Sequence, residues 1–147
     1  LFLGITFNYG LLLGWTSINE EISLIPIIFY LGAIFWTLGY DTIYGYQDIE
    51  DDEIIGVKST SIKFKQNPKI FLSTCYFIFT LLFIVTGIKL DFNNYFFIGT
   101  MAVFFHLSVI QIMNFNKKDR EKCLKIFKSN NFLGLIILIC ILVGKLG

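Results

Sequence analysis

Five long apolar runs dominate this chain of 147 residues and limit what it can fold into. They cover residues 1–16, 22–40, 70–88, 94–113 and 132–146. A helix needs about 17 to 25 mostly apolar residues to cross the hydrocarbon core of a bilayer. Continuous runs of this length are typical of helices, because the strands of membrane barrels alternate apolar and polar residues. The sequence therefore predicts an all-α fold, a polytopic bundle of about five transmembrane helices.

The composition agrees with a membrane protein and disagrees with a soluble domain. Hydrophobic residues make up 55% of the chain and charged residues only 16%, and the mean hydropathy is +0.69. Soluble domains carry about 25% charged residues. The abundance of Ile, Asn, Lys and Phe is typical of an AT-rich bacterial genome, so we expect the bacterial inner (cytoplasmic) membrane.

The basic residues fall almost entirely in two alternate loops, those after the second and fourth apolar runs. Ten of the twelve Lys and Arg residues lie there: Lys58, Lys63, Lys65, Lys69, Lys117, Lys118, Arg120, Lys122, Lys125 and Lys128. By the positive-inside rule, both loops are predicted to be cytoplasmic. The second loop interleaves apolar residues and is expected to lie on anionic membrane lipid. Nucleic acid is not expected as a partner, because apolar spans flank both loops.

One acidic stretch stands out against this apolar background. The segment YDTIYGYQDIEDDEIIGVKST, residues 40–60, places six carboxylates within thirteen positions: Asp41, Asp48, Glu50, Asp51, Asp52 and Glu53. An unneutralised carboxylate costs about 2.5–3.5 kcal/mol at the centre of a membrane on insertion scales. These acids are therefore expected at the cytoplasmic end of a span, in contact with water.

Helical geometry predicts that three of the aspartates share one face. If the second span continues as a helix through the stretch, Asp41, Asp48 and Asp52 fall within about 40° of arc. Glu50 and Glu53 then point in the opposite direction. Like charges on one helix face repel each other, so a column of three carboxylates favours a bound cation.

The ligand chemistry of this column suits a hard divalent cation. Mg²⁺ is usually held by one or two carboxylates together with waters and substrate phosphates. Tyr44 and Asp51 border the predicted face, and Gly45 lies within it, where the lack of a side chain would leave room for a ligand. The alternative is a solvated acidic end of the helix, with Asp41 as a cap, although acids at a helix C-terminus oppose the macrodipole.

The same stretch resembles the second aspartate-rich motif of the UbiA-type intramembrane aromatic prenyltransferases, in particular the hydroxybenzoate group of ubiquinone biosynthesis. The likeness extends to both sides of the motif. LGITFNYGLLLGW at residues 3–15 resembles the preceding span, and NKKDREKCLKIFKSNNFLGLIIL at residues 116–138 resembles the end of such enzymes.

The resemblance implies a fold, an activity and a missing part. The family fold is an all-helical bundle of about nine transmembrane helices, and residues 1–147 would form the C-terminal part of that single membrane-embedded domain. A first aspartate-rich motif would lie upstream of Leu1, so the chain alone is expected to be inactive. The implied reaction is Mg²⁺-dependent transfer of a polyprenyl group from polyprenyl diphosphate to the ring of 4-hydroxybenzoate.

The resemblance also implies roles for individual residues of the stretch. The metal-facing and catalytic carboxylates would be Asp41, Asp48 and Asp52, with Asp51 as a substitute metal ligand. Lys58 would contact the diphosphate or the aromatic acid, and Tyr44 a phosphate oxygen or the cavity wall. The alternatives for these two are a loop lysine of the positive-inside pattern and an interfacial aromatic anchor.

Other functions remain open at the level of sequence. Members of the same fold prenylate a naphthoate, a haem, a chlorophyll precursor or a glycerol phosphate. A cation-binding transporter is a further alternative, but it would be expected to keep ionisable groups near mid-membrane and to repeat a broken helix. A purely structural membrane subunit would tolerate neutralisation of Asp41 or Asp48.

Overall fold

The computed structural model describes residues 2–19, 21 and 23–146, and all regular structure in these residues is helical. The α-helices are α1 (Phe2–Asn19), α2 (Leu24–Tyr44), α3 (Ile49–Ile55), α4 (Thr60–Lys63), α5 (Pro68–Lys89), α6 (Asn94–Phe105), α7 (Arg120–Lys128) and α8 (Asn130–Lys145). Helix α6 continues directly into a π-helical segment, His106–Met113. The predicted all-α fold is confirmed.

Four helical stretches of the described chain are long and apolar enough to cross a membrane. They are Leu24–Tyr44, Pro68–Lys89, Asn94–Met113 and Arg120–Lys145, the last of which combines α7 and α8. These stretches correspond to four of the five predicted spans. The first predicted span forms helix α1 but is not among the four, because Asn8, Asn19 and several hydroxyl residues dilute its apolar content.

Helix α2 is the centre of the packing. It contacts α5 most extensively and also packs against α1 and α7, while α6 packs against α8. Aromatic rings fill the α2–α5 interface: Trp36 stacks on Phe79 with ring centroids 5.5 Å apart, and Phe79 stacks on Phe83 at 5.7 Å. Such pairs add about 0.5–1.5 kcal/mol each beyond the area that they bury.

The connections divide between the two ends of the bundle. At one end, the Lys117 ammonium donates a hydrogen bond to the Lys65 carbonyl oxygen at 3.0 Å, which joins the two basic loops. At the other end, the Asn93 amide donates to the Val143 carbonyl oxygen at 2.8 Å. The acidic stretch is continuous with the first basic loop, so the acids and the basic residues share one end.

A buried polar network fixes the junction between α7 and α8. The fully buried Gln111 side chain accepts a hydrogen bond from the Tyr76 hydroxyl at 3.1 Å and donates to the Ile126 carbonyl at 3.2 Å and the Ser129 hydroxyl at 3.1 Å. His106 lies in the same network, with Nε2 3.2 Å from Ser129 Oγ. The last carbonyls of α7 are therefore satisfied inside the bundle, where water is excluded.

Close packing at Gly87 gives a testable consequence. A Cβ atom at this position in α5 would overlap the ring of Phe96, which is fully buried in α6. We expect Gly87→Ala to lower the free energy of unfolding by about 1–3 kcal/mol, because the ring has no free space to move into. The measurement is the unfolding transition of the intact protein purified in detergent.

Gly134→Ala is the matched control for this substitution. Gly134 also lies in a membrane helix, but a Cβ there meets only a ring atom of Trp36 at 3.6 Å, an ordinary contact. The control should unfold within about 0.5 kcal/mol of the unmodified protein. Equal effects of the two substitutions would contradict the packing of α5 against α6.

Candidate functional site

The acidic stretch is not one continuous helix. Helix α2 ends at Tyr44, Gly45 follows as its C-cap, and α3 begins only at Ile49. The predicted extension of the second span through the stretch is therefore wrong, and with it the straight column of aspartates.

Burial of Tyr46 gives the physical reason for this break. Its side chain is 1% exposed and packs edge-on against Phe115, with ring centroids 5.2 Å apart. The chain turns so that this ring enters the core. Burial also raises the pKa of the Tyr46 hydroxyl to about 12, so it stays protonated and acts as a packing group rather than as a base.

The turn nevertheless brings the same three aspartates together. A cavity of about 400 Å³, called here the acid cavity, is lined by Asp41, Tyr44, Gly45, Asp48, Asp52, Lys58, Ser59, Thr60 and Ser61. Asp41 comes from the last turn of α2, Asp48 from the residue before α3, and Asp52 from α3 itself. The residues that helical projection placed on one face therefore meet around one cavity by a different route.

The other acids of the stretch have different surroundings. Glu50 pairs with Arg120 of α7 at 2.6 Å, and Glu53 pairs with Lys65 at 2.7 Å. These exposed pairs tie α3 to the two basic loops, although each contributes only about 0–1 kcal/mol. Asp51 is exposed and does not line the acid cavity. The six acids thus divide into three cavity aspartates, two paired glutamates and one solvent-facing aspartate.

Three hydroxyl side chains complete the acid cavity, and sequence reasoning missed them. Thr60 Oγ1 lies 2.6 Å from Thr42 Oγ1 of α2, and Ser59 Oγ lies 3.0 Å from Ser61 Oγ. A Cβ atom at Gly45 would overlap the Ser61 hydroxyl, so the glycine allows this close packing, and it also lines the cavity. The run KSTS at residues 58–61, separated from the last acid by four residues, was the sequence signal for this wall.

The donor chemistry of the acid cavity fits a hard divalent cation that a phosphorylated ligand helps to hold. Among the described residues, no three His, Cys, Asp or Glu side chains converge closely enough to form a metal cluster by themselves. Mg²⁺ does not need one, because it is usually held by one or two carboxylates, waters and substrate phosphates. The acid cavity carries three carboxylates, with hydroxyl groups and Lys58 beside them, so waters and phosphate oxygens would complete the coordination.

An aromatic ridge separates the acid cavity from a second, smaller one. The ring of Phe127 in α7 lies 4.7 Å from the ring of Tyr44 and 5.7 Å from that of Tyr40, measured between centroids. Tyr44 lines the acid cavity, while Tyr40 and Phe127 line the second cavity of about 200 Å³. We call it the amide cavity, because the side chains of Asn8, Asn130 and Asn131 line it.

Comparison with known proteins identifies the family. The family model described as the UbiA prenyltransferase family matches residues 1–136. The chain is 36% identical over 141 residues to the 4-hydroxybenzoate octaprenyltransferase of Francisella tularensis subsp. novicida (strain U112), covering 95% of this chain and 49% of the relative. It is 37% identical over 145 residues to the mitochondrial 4-hydroxybenzoate polyprenyltransferase of Dictyostelium discoideum, covering 98% of this chain and 31% of the relative.

The chain thus spans about half the length of the bacterial relative and about a third of the Dictyostelium protein. No solved structure matches it. The family match covers most of the chain, including the acid cavity and the packing around it. The chain therefore belongs to the UbiA prenyltransferase family.

Proposed function

We propose that the protein containing this chain transfers a polyprenyl group from polyprenyl diphosphate to the ring of 4-hydroxybenzoate, a step of ubiquinone biosynthesis. The observation that carries the proposal is the acid cavity, where Asp41, Asp48 and Asp52 meet at the end of a membrane helix. Two relatives that align along almost the whole chain carry the name of this activity.

This chain supplies one part of the active site in the proposal. Residues 1–147 form the C-terminal part of a single membrane-embedded prenyltransferase domain, in agreement with the coverage of about half of the bacterial relative. Asp48 and Lys58 of the acid cavity are exposed in the described part of the chain, and a second set of carboxylates from the upstream sequence would face them. The chain without that sequence is expected to be inactive.

The residues of the acid cavity have different roles in binding the diphosphate. Asp41, Asp48 and Asp52 would hold Mg²⁺, and the Lys58 ammonium and the Tyr44 hydroxyl, which line the same cavity, would bind phosphate oxygens. When bound, Mg²⁺ neutralises the diphosphate and stabilises it as a leaving group. Asp51 is left out of this set because it lies outside the cavity lining.

The reaction forms an allylic carbocation, which must be protected from water. The allylic C–O bond breaks and its electron pair leaves with the diphosphate. The ring carbon ortho to the hydroxyl of 4-hydroxybenzoate then supplies the electron pair of the new C–C bond, and its proton passes to the released diphosphate. The rings of Tyr44, Phe127 and Tyr40 lie beside the acid cavity, and aromatic rings stabilise positive charge.

The membrane orientation follows from charge in the same proposal. The acid cavity lies at the end of the bundle that carries both basic loops, and the positive-inside rule places that end in the cytoplasm. The bacterial inner membrane is the proposed location. 4-Hydroxybenzoate then reaches the site from the cytoplasm, where it is soluble, and polyprenyl diphosphate reaches it from the inner leaflet.

The proposed function is tested with the intact protein, meaning this chain together with its upstream sequence. Membranes holding it are incubated with polyprenyl diphosphate and 4-hydroxybenzoate, with Mg²⁺ or with a chelator, and the prenylated product is quantified by mass spectrometry. We expect product only with divalent metal. Product that forms equally well in chelator would contradict the metal assignment.

Parallel incubations with other acceptors decide between the hydroxybenzoate reaction and its relatives. A naphthoate, a haem, a chlorophyll precursor and glycerol phosphate are offered in place of 4-hydroxybenzoate. Faster prenylation of any of these would replace the proposed acceptor while retaining the acid cavity as the diphosphate site. Uptake of the divalent cation by these membranes, without any prenylated product, would favour a transporter.

A further inference from the structure

We infer that a groove between α5 and α6 binds an anionic phospholipid, with the headgroup at Lys69 and one acyl chain along the groove. This site lies outside both cavities described above and does not depend on the proposed function. The shape of the groove, the chemistry of its two parts and the lysine at one end of it carry the inference.

Two continuous cavities form this groove, called here the α5–α6 groove. Their volumes are about 520 Å³ and about 250 Å³, and both are lined by Phe77 and Thr80 of α5 and by Phe104 of α6. The rims of the groove face outward, since the side chain of Phe77 is 64% exposed and that of Met101 is 73% exposed. In the described part of the chain, the groove is therefore open to the surrounding lipid.

The larger part of the α5–α6 groove suits a hydrocarbon chain. Its lining contains two hydroxyl groups, and both are satisfied within their own helices. Thr80 Oγ1 donates to the Tyr76 carbonyl oxygen at 2.8 Å, and Thr100 Oγ1 donates to the Phe96 carbonyl oxygen at 2.9 Å. The other lining residues are aliphatic, aromatic or Met. A surface of this kind, with its polar groups already paired, is better covered by hydrocarbon than by water.

The length of the α5–α6 groove matches one leaflet of a bilayer. Along α5 its lining extends from Ser73 to Ile84, which is about 16 Å at the helical rise of about 1.5 Å per residue. Half of the hydrocarbon core of a bilayer is about 15 Å thick. One acyl chain of a single leaflet therefore fits along the groove.

The smaller part of the groove adds polar groups toward the basic loops. Ser73 of α5 and Ser108 of the π-helical segment line it. Within the described residues, neither hydroxyl forms a hydrogen bond with the protein. A hydroxyl can donate to an ester oxygen, and a phospholipid carries its ester groups between the headgroup and the chains. π-Helical segments are frequent at functional sites.

Lys69 lies at the end of the groove that meets the basic loops. It shares a face of α5 with Ser73 and Phe77, because residues four apart on a helix lie above one another. Its ammonium donates to the Met113 carbonyl oxygen at 3.4 Å and so reaches the end of the π-helical segment that forms the other wall. Lys69 pairs with no carboxylate among the described residues. Basic groups beside pockets between membrane helices bind the headgroups of anionic lipids.

The test uses the intact protein in vesicles of phosphatidylcholine that hold a small fraction of a photoactivatable lipid. One probe is phosphatidylglycerol with a photoactivatable group on its acyl chain, and the other is phosphatidylcholine with the same chain. Tandem mass spectrometry of peptides quantifies the labelled residues after illumination. We expect the phosphatidylglycerol probe to label Phe104 about fivefold more than the phosphatidylcholine probe does. Phe105 is the matched control, because it is 62% exposed but lies outside the groove, and both probes should label it about equally.

Matched lysine substitutions test the headgroup contact. Lys69→Gln removes the charge at the groove, and Lys125→Gln removes the charge of another exposed lysine, on α7. Lys69→Gln should lower labelling of Phe104 by the phosphatidylglycerol probe about fivefold, the effect of one basic residue near the membrane surface. Labelling by the phosphatidylcholine probe should not change. Lys125→Gln should keep both signals within about twofold of those of the unmodified protein.

Three results would overturn the lipid site. Equal losses in the two lysine variants would mean that the basic loops attract anionic lipid without a specific site. The same ratio of the two probes at Phe104 and Phe105 would mean that the groove does not select its lipid. No labelling of Phe104 by either probe would mean that an upstream helix or a second copy of the protein covers the groove. None of these measurements requires prenyl transfer, so the proposed function stands or falls separately.

Discussion

Asp48→Asn in the intact protein is expected to lower the rate of prenyl transfer by about 100-fold or more. Removal of one group that stabilises developing charge in an active site typically costs about 10²–10³ in rate. Asp48 is exposed at the turn between α2 and α3, so the substitution should not unfold the protein. Asp52→Asn, on the same cavity, should behave in the same way. The measurement is the initial rate of product formation at saturating Mg²⁺.

Asp51→Asn provides the matched control for both substitutions. Asp51 is adjacent to Asp52 in sequence and carries the same charge, but it is exposed outside the acid cavity. Its neutralisation should leave the rate within about twofold of the unmodified protein, since surface substitutions of this kind have small effects. A large loss in Asp51→Asn together with a normal rate in Asp48→Asn would mean that the wrong face of α3 had been assigned to the metal.

Gln111→Leu is expected to lower the free energy of unfolding of the intact protein by about 1–3 kcal/mol. The substitution keeps a similar volume but leaves the Tyr76 hydroxyl, fully enclosed in the bundle, without its acceptor. A buried polar group that loses its partner carries a desolvation cost of that size. The Ile126 carbonyl at the end of α7 also loses one of its donors. Denaturant or thermal unfolding in detergent measures the effect.

A double-mutant cycle tests whether this loss comes from the hydrogen bond itself. Gln111→Leu leaves the Tyr76 hydroxyl without its acceptor, and Tyr76→Phe removes that hydroxyl. The double substitution should therefore lower the free energy of unfolding by less than the sum of the two single substitutions. Gln66→Leu, at an exposed loop position, should have little effect. Strictly additive losses at Gln111 and Tyr76 would contradict the network.

The spans were predictable from sequence because they depend on a local property. Apolar length alone selects what can cross a bilayer, and the predicted runs at 22–40, 70–88 and 94–113 fall on α2, α5 and α6 with its π-helical segment. The first run formed a helix without reaching the same apolar content. The length of an apolar run does not predict the contacts of buried polar groups such as Gln111, since their partners lie on other helices.

Helical projection placed the three cavity aspartates on one face, and in the structure they line one cavity through a different geometry. Projection assumed one helix through Asp48, whereas α2 ends at Tyr44 because Tyr46 enters the core. Spacing cannot reveal this break, since Gly45 has ordinary helical backbone angles and the ring that Tyr46 meets lies far along the chain. The role of the aspartates as metal ligands remains a prediction.

The amide cavity could not be predicted at all. Asn8 and Asn131 are separated by most of the chain, and each lies in or beside an apolar run where an asparagine suggests a cap or a packing group. Asn130 does not cap its own helix; its amide instead satisfies the end of α7, and its oxygen accepts from Trp36. Only the packing of α1, α2, α7 and α8 brings these side chains to one place.

Metal binding in the presence of diphosphate tests the central claim most directly. Mn²⁺ replaces Mg²⁺ as a probe that electron paramagnetic resonance can follow, and an unreactive polyprenyl bisphosphonate replaces the substrate. The carboxylates need phosphate oxygens to complete the coordination. The intact protein and its Asp51→Asn variant should therefore bind Mn²⁺ tightly only when the bisphosphonate is present. The Asp48→Asn variant should bind Mn²⁺ at least about tenfold more weakly under the same conditions. Mn²⁺ binding that is the same in Asp48→Asn as in the unmodified protein would contradict the acid cavity as the diphosphate site.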